Sequence, residues 1–157
     1  MLRIKNGQET RDISFIGIDK NELDEVFYII KAGTYSQVSK AFGWDECFQQ
    51  QRFNSSYQSS WFHWIYYDST KIGLVCFKLV NSHFHLHYLI LFPSFQSKGL
   101  GSSAMAHIHK LALSHCCDNV TLNCFKHDEI AVSFYQRMEY EVIDEDEHFF
   151  SMRKEIR

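Results

Sequence analysis

Leu89-Ile90-Leu91-Phe92-Pro93-Ser94-Phe95-Gln96-Ser97-Lys98-Gly99-Leu100-Gly101-Ser102 is the stretch whose reading decides the fold. Its first four residues form an apolar run with strand character, and Pro93 stops the strand because proline cannot continue a ladder. A short loop ends at Gly101, and Ser102 stands where a hydroxyl can cap a helix. Met105, Ile108, Leu111 and Ala112 then recur at helical spacing up to about His115. The stretch therefore reads strand, tight loop, helix. Glycines at 99 and 101 let the backbone approach a ligand closely and adopt positive φ. Unpaired N–H groups at the helix start, with the helix dipole behind them, attract phosphate, and Lys98 adds positive charge nearby.

Upstream, Ile13-Ser14-Phe15-Ile16 reads as a first strand. Asp19 can cap a helix carrying Leu23, Val26, Phe27 and Ile30 on one face, and Gly33 is placed to end it. A second helix is expected over about Trp44 to Phe53, followed by a polar loop over Asn54 to Ser60. Three strands follow in quick succession: Trp61 to Tyr67, Ile72 to Val80 and His83 to Phe92, joined by turns at Asp68–Lys71 and Asn81-Ser82. Downstream of the glycine loop come a strand at Val120–Cys124 and a helix capped by Asp128, with Ala131, Phe134, Tyr135 and Met138 inward. Two closing strands, Glu141–Ile143 and His148–Met152, flank an acidic turn at Asp144–Glu147. The strand–loop–helix–strand segment needs a crossover, so part of the sheet is parallel. The class is α+β: a central mixed, mostly antiparallel sheet of six to seven strands flanked by about four helices.

The 157 residues fit a single domain spanning 1–157, and 45% hydrophobic content is enough for a core without disulfides or metal. A net charge of −3 argues against nucleic acid as the main partner, since phosphate neutralisation needs a basic face. The longest apolar run, near Tyr88 to Phe92, is far short of a membrane span. Met1–Gly7 carries no apolar signal region. Cys47, Cys76, Cys116, Cys117 and Cys124 form no C-x-x-C pair, which reads as free thiols and a cytoplasmic setting.

A G-x-G pair alone is not specific. No Gly-Lys-Ser/Thr follows to make a P-loop, and the third glycine of a dinucleotide fingerprint is missing. The longer pattern is specific: Pro93-x-x-Gln96-x-x-Gly99-x-Gly101 between strand and helix, then a strand, then Asp128-x-x-Ala131-x-x-x-Tyr135. This resembles the GNAT superfamily of acetyltransferases, whose cofactor motif is Q/R-x-x-G-x-G/A and whose later helix carries Asn-x-x-Ala-x-x-x-Tyr, commonly followed by Gly-Phe. The resemblance runs from about residue 61 to 153 and implies a GNAT-like fold, acetyl-CoA as cosubstrate and a primary amine as acceptor. It implies that Gln96, Ser97, Lys98, Gly99, Leu100, Gly101 and Ser102 hold the CoA diphosphate. Leu89 and Leu91 match positions where strand backbone meets the acetyl group and pantetheine arm, where a bulge would splay this strand from the next and free an N–H for an oxyanion. Tyr135 matches a frequent general acid. Two positions depart from the pattern: Asp128 replaces Asn on the cofactor side, and Glu139-Tyr140 replaces Gly-Phe.

An amine arrives as ammonium and must lose a proton before it attacks. Many similar chains use a Glu four residues before the Leu89 position; here that position is His85, which titrates near neutrality. His83, His85 and His87 alternate along one strand face, which suits a polar face as well as a base. No carboxylate or cysteine partner has an obvious place beside them, so no metal is expected. In similar chains the first two helices line the acceptor side, and here they offer Tyr35, Phe42, Trp44, Asp45, Glu46 and Phe48, with Trp61 and Trp64 nearby. Exposed sheet edges near the C-terminus leave a homodimer possible. The residues themselves fit an acetyl-CoA-dependent N-acetyltransferase, a CoA-binding module with little catalysis, or an unrelated nucleotide-binding regulator.

Overall fold

The computed structural model describes residues 12–157 in full and the backbone of 3–5 and 8–10. Most of Met1–Gly7, read above for a signal region, lies outside the described residues. Arg3–Lys5 (β1) and Gln8–Thr10 (β2) pair as a small antiparallel hairpin. The main sheet starts with Ile13–Gly17 (β3), followed by two helices, Leu23–Phe42 (α1) and Glu46–Ser56 (α2). The meander Phe62–Tyr67 (β4), Thr70–Val80 (β5) and His83–Leu91 (β6) comes next. Leu100–Ser114 (α3) crosses over to Asn119–Phe125 (β7), and Glu129–Arg137 (α4) leads to Glu141–Glu145 (β8) and Phe149–Glu155 (β9). The seven strands lie in the order β3-β4-β5-β6-β7-β9-β8. β6 and β7 pair in parallel, and the other pairs are antiparallel. The expected α+β architecture and crossover are both present.

Period-two alternation splits the strand side chains between two cores. Val75, Phe77, Phe84, Leu86, Val120 and Leu122 pack on one face with α3 and α4, around Met105, Ile108 and Ala112. Trp64, Leu74 and Cys76 pack on the other face against Val26, Phe27, Ile30 and Phe53 of α1 and α2. Two aspartates cap helices, Asp128 as the sequence predicts and Asp45 in addition. Asp45 Oδ1 accepts from the Phe48 N–H at 3.0 Å, and Asp128 Oδ1 accepts from the Ala131 N–H at 3.2 Å.

Four local expectations need correction. Asp19 opens only a short 3₁₀ turn, Lys20–Glu22, where its N–H donates to Glu22 Oε1 at 2.8 Å. Gly33 does not end α1, which continues to Phe42 before Gly43. Ile90 crosses α1 at Gly33, and a Cβ there would meet its side chain at 3.0 Å, so packing accounts for this glycine. The expected loop at Asn54 begins three residues later, because α2 runs to Ser56. Ser102 does not cap α3; the helix starts at Leu100 with Gly99 as N-cap, and Ser102 lies inside its first turn.

The replacements after α4 have a physical account. Glu139 takes φ of 69°, the left-handed conformation that glycine adopts without penalty. Tyr140 is 3% exposed, and its hydroxyl shares a hydrogen bond with His109 Nε2 at 2.8 Å. A buried tyrosine needs such a partner, and α3 supplies it. Glu139→Gly should therefore raise unfolding stability by about 1 kcal/mol, read as a higher urea midpoint at unchanged slope.

Candidate functional site

The site begins with one surplus residue. In the β5–β6 ladder Cys76 faces Tyr88 while Phe77 faces Leu86, so His87 bulges from β6. A bulge bends its strand and increases the local twist. The parallel ladder between β6 and β7 covers His83↔Asn119 to Leu86↔Leu122 and stops there, although β6 continues to Leu91 and β7 to Phe125. Past that rung the strands part, and the β6 backbone turns unpaired groups toward the gap.

A cavity of about 750 Å³ fills this region. His85, His87 and Leu89 line it from β6, and Asn123 and Phe125 from β7. Asp128 and Tyr135 close it from α4, while Phe42, Asp45, Phe48 and Arg52 face it from α1, α2 and their connection. His85, Leu89, Asp128 and Tyr135 are thus brought to one space. Leu91 and the loop from Gln96 to Ser102 are not in its lining. They form a second feature at the end of β6. Gln96 Nε2 donates to the Leu91 carbonyl at 2.9 Å, tying the loop to the strand. Ser97 and Gly99 have φ of 59° and 77°, and no described side chain caps the N-terminus of α3. The first-turn N–H groups of Leu100, Gly101 and Ser102 have no intrahelical acceptor. Gly101 is not required by a left-handed turn, and an added Cβ would make only ordinary contact with Phe134, at 3.4 Å. This is the geometry of an anion cradle, and it fits a diphosphate.

The family model of the acetyltransferase (GNAT) family matches residues 23–140. The chain belongs to the GNAT acetyltransferase family. It is an enzyme that transfers acetyl groups from acetyl-CoA. No curated protein sequence matches it. Solved structures share its fold at low identity. PaiA N-acetyltransferase from Thermoplasma acidophilum, solved with coenzyme A, superposes with a TM-score of 0.72 at 18% identity, covering 92% of this chain and 99% of its own. The Escherichia coli ribosomal-protein-S18-alanine N-acetyltransferase gives 0.63 at 15% identity, covering 92% and 94%. Arabidopsis thaliana Naa50, solved with the bisubstrate analogue CoA-Ac-MVNAL, gives 0.60 at 14% identity, covering 90% and 97%.

In this GNAT enzyme burial favours the neutral forms of three cavity-lining groups, His85, His87 and Tyr135. Burial, then His83 and Lys78, lowers the His85 pKa. Burial, then His85, Lys78 and Arg52, brings His87 down to about 4. Burial, then the charges of Cys124 and Asp128, raises the Tyr135 phenol, which makes no hydrogen bond among the described residues. The His87 ring stacks on Trp61 at 5.4 Å and stands edge-on to His85 at 4.8 Å. Among the described residues, no three His, Cys, Asp or Glu groups gather as a metal site. No described helix is long and apolar enough to cross a membrane.

Of the acceptor candidates, Phe42, Asp45 and Phe48 line the cavity. Trp64 is core, its Nε1 donating to Glu22 at 3.1 Å, and Trp44 donates to Glu46 at 2.8 Å. Sequence reasoning missed Arg52, Tyr57, Asn123 and Thr121. The first three reach the cavity through helix length and strand splay. Thr121 bonds two of the histidines and depends on strand register, which no motif announces.

His87 and His109 both sit near pKa 4, against an ordinary 6.5. The unfolded chain therefore binds more protons between those values, and stability falls as pH drops from about 6.5 toward 4. Urea midpoints measured from pH 7 to 5 should decline, and His109→Gln should flatten the slope.

Proposed function

We propose that the whole chain, 1–157, is one N-acetyltransferase domain that passes acetyl directly from acetyl-CoA to a primary amine within a ternary complex. The supporting observation is the parted β6–β7 pair, which puts His85 and Tyr135 on one cavity. In this reading Gln96, Ser97, Lys98, Gly99, Leu100, Gly101 and Ser102 hold the diphosphate of CoA, chiefly through backbone N–H groups. The backbone of Leu89 and Leu91 accompanies the pantetheine arm, and a β6 N–H stabilises the oxyanion. Asp128 caps α4 at the cofactor wall. His85, neutral at rest, accepts the proton lost by the amine, and Tyr135, kept protonated by burial, donates one to the departing thiolate.

Phe42, Phe48, Phe125 and Phe149 with Asp45 give the acceptor side aromatic walls and one carboxylate, which suits a small or peptidic primary amine. Acceptor peptides or proteins appear in the names of two of the similar structures. The free cysteines fit a reducing, cytoplasmic setting. We take the monomer as the working unit. Two copies paired along the exposed edge strand β8 would juxtapose Glu141, Asp144 and Glu145. A second reading, a CoA-binding module with little turnover, draws on Asp128, whose carboxylate receives an anionic cosubstrate less well than an amide.

CoA thiol release, followed across small amines and peptides with free N-termini, separates the two readings. The enzyme reading predicts turnover, with His85→Ala and Tyr135→Phe each lowering kcat by roughly 10²–10⁴-fold while the fold is kept. CoA binding without turnover on any amine would favour the binding module.

A further inference from the structure

A histidine acts as a base through one nitrogen only, and the hydrogen bond at the other nitrogen decides which. In this fold the partner of His85 is Thr121. The two residues are Cα partners in the parallel ladder, one rung before β6 and β7 part. The gap between Thr121 Oγ1 and His85 Nδ1 is 2.6 Å, and that between the same oxygen and His83 Nε2 is 2.7 Å. His85 Nε2 has no hydrogen-bond partner among the described residues, and the side chain lines the cavity.

We propose that Thr121 is a positioning residue for His85: its hydroxyl accepts the Nδ1–H and leaves the Nε2 lone pair to take the amine's proton. The inference rests on the reading of His85 as the base. Gaps this short each hold a hydrogen, and the hydroxyl has a single one to give. Three arrangements satisfy that count. The hydroxyl donates to His83 and accepts from His85; it accepts from both; or it donates to His85 and accepts from His83. Only the last puts hydrogen on the wrong nitrogen of His85.

The charged neighbours favour a neutral His85 at rest. Lys78 faces His85 across the β5–β6 ladder, and Arg153 is the β9 partner of Thr121, its Nε bonded to Glu155 Oε1 at 2.9 Å. Lys78 and the neighbouring His83 oppose a resting imidazolium at His85, while Glu155 offsets the charge of Arg153. On reaction an ammonium N–H bond breaks, its electron pair stays on nitrogen, and a new N–H bond forms at His85 Nε2. The Nδ1–H keeps its acceptor throughout, so no ring need turn. Thr121 and His83 thus do for a histidine in a strand what a carboxylate does for the histidine of a triad.

Long-range ¹H–¹⁵N spectra of the full-length, histidine-labelled protein at pH 7 read the tautomer directly, with His85→Gln assigning the signal. The expected wild-type pattern has hydrogen on Nδ1 and a lone pair on Nε2. Thr121→Ser keeps it, and the isosteric Thr121→Val loses it, with kcat falling and the KM for acetyl-CoA unchanged. Hydrogen resting on Nε2 of wild-type His85, or a tautomer indifferent to Thr121→Val, overturns the role of Thr121 and leaves the base reading standing. Full acetyl transfer by His85→Gln overturns both.

Discussion

His87 is one residue more than the β5–β6 ladder can pair, and the bend that relieves it makes room for chemistry. Without the bulge, β6 and β7 would continue side by side and their backbone groups would be consumed in hydrogen bonds. With it, the strands separate after Leu86 and Leu122. A cavity opens between two cores that are each closed on their own face of the sheet. The bulge also keeps both cores in phase: Phe84 and Leu86 before it, and Leu89 and Leu91 after it, all face α3 and α4. A slip of one residue without the bulge would have turned those leucines to the wrong face.

The rest of the site is assembled around that opening by ordinary means. Gln96 ties the loop back to Leu91, and two left-handed residues, Ser97 and Gly99, turn the chain sharply enough to present the bare start of α3. Asp128 satisfies the start of α4 and so sets the helix that carries Tyr135 into the cavity. Where the chain departs from the family pattern, neighbouring residues compensate. His109 accommodates the hydroxyl of Tyr140, while Glu139 accepts backbone strain that a glycine would avoid. Both solutions lie on the α3–α4 side and leave the cavity lining unchanged.

Much of this was legible in the residues. The turn signals at Asp68 and Asn81, the stop at Pro93 and the cap at Asp128 act locally, so their spacing alone located the meander, the loop and α4. The run of strands and helices then gave the crossover. Gly33 misled because glycine serves equally as a helix stop and as a gap for a crossing side chain, and only the position of Ile90 separates the two. Ser102 misled because a glycine three residues earlier, Gly99, had already turned the chain. The bulge left a trace in the shift of apolar phase between Leu86 and Leu89, but in a strand as rich in rings as His83–Leu91 that phase is easily missed. Thr121 was beyond reach, since its meaning depends on which residue of β6 it faces.

The central claim is that the parted strands and the Gln96–Ser102 loop together form a site for CoA. Thermal unfolding of the purified protein with acetyl-CoA, CoA, ATP or NADH, each near ~1 mM, tests it most directly. A ligand at a hundred times its dissociation constant adds about 2.7 kcal/mol, a shift of several degrees. The account predicts that both CoA species raise the midpoint, that ATP and NADH do not, and that Gly99→Ala diminishes the shift. A folded sample indifferent to acetyl-CoA and CoA would contradict it, leaving the loop a turn and the cavity without its proposed cosubstrate.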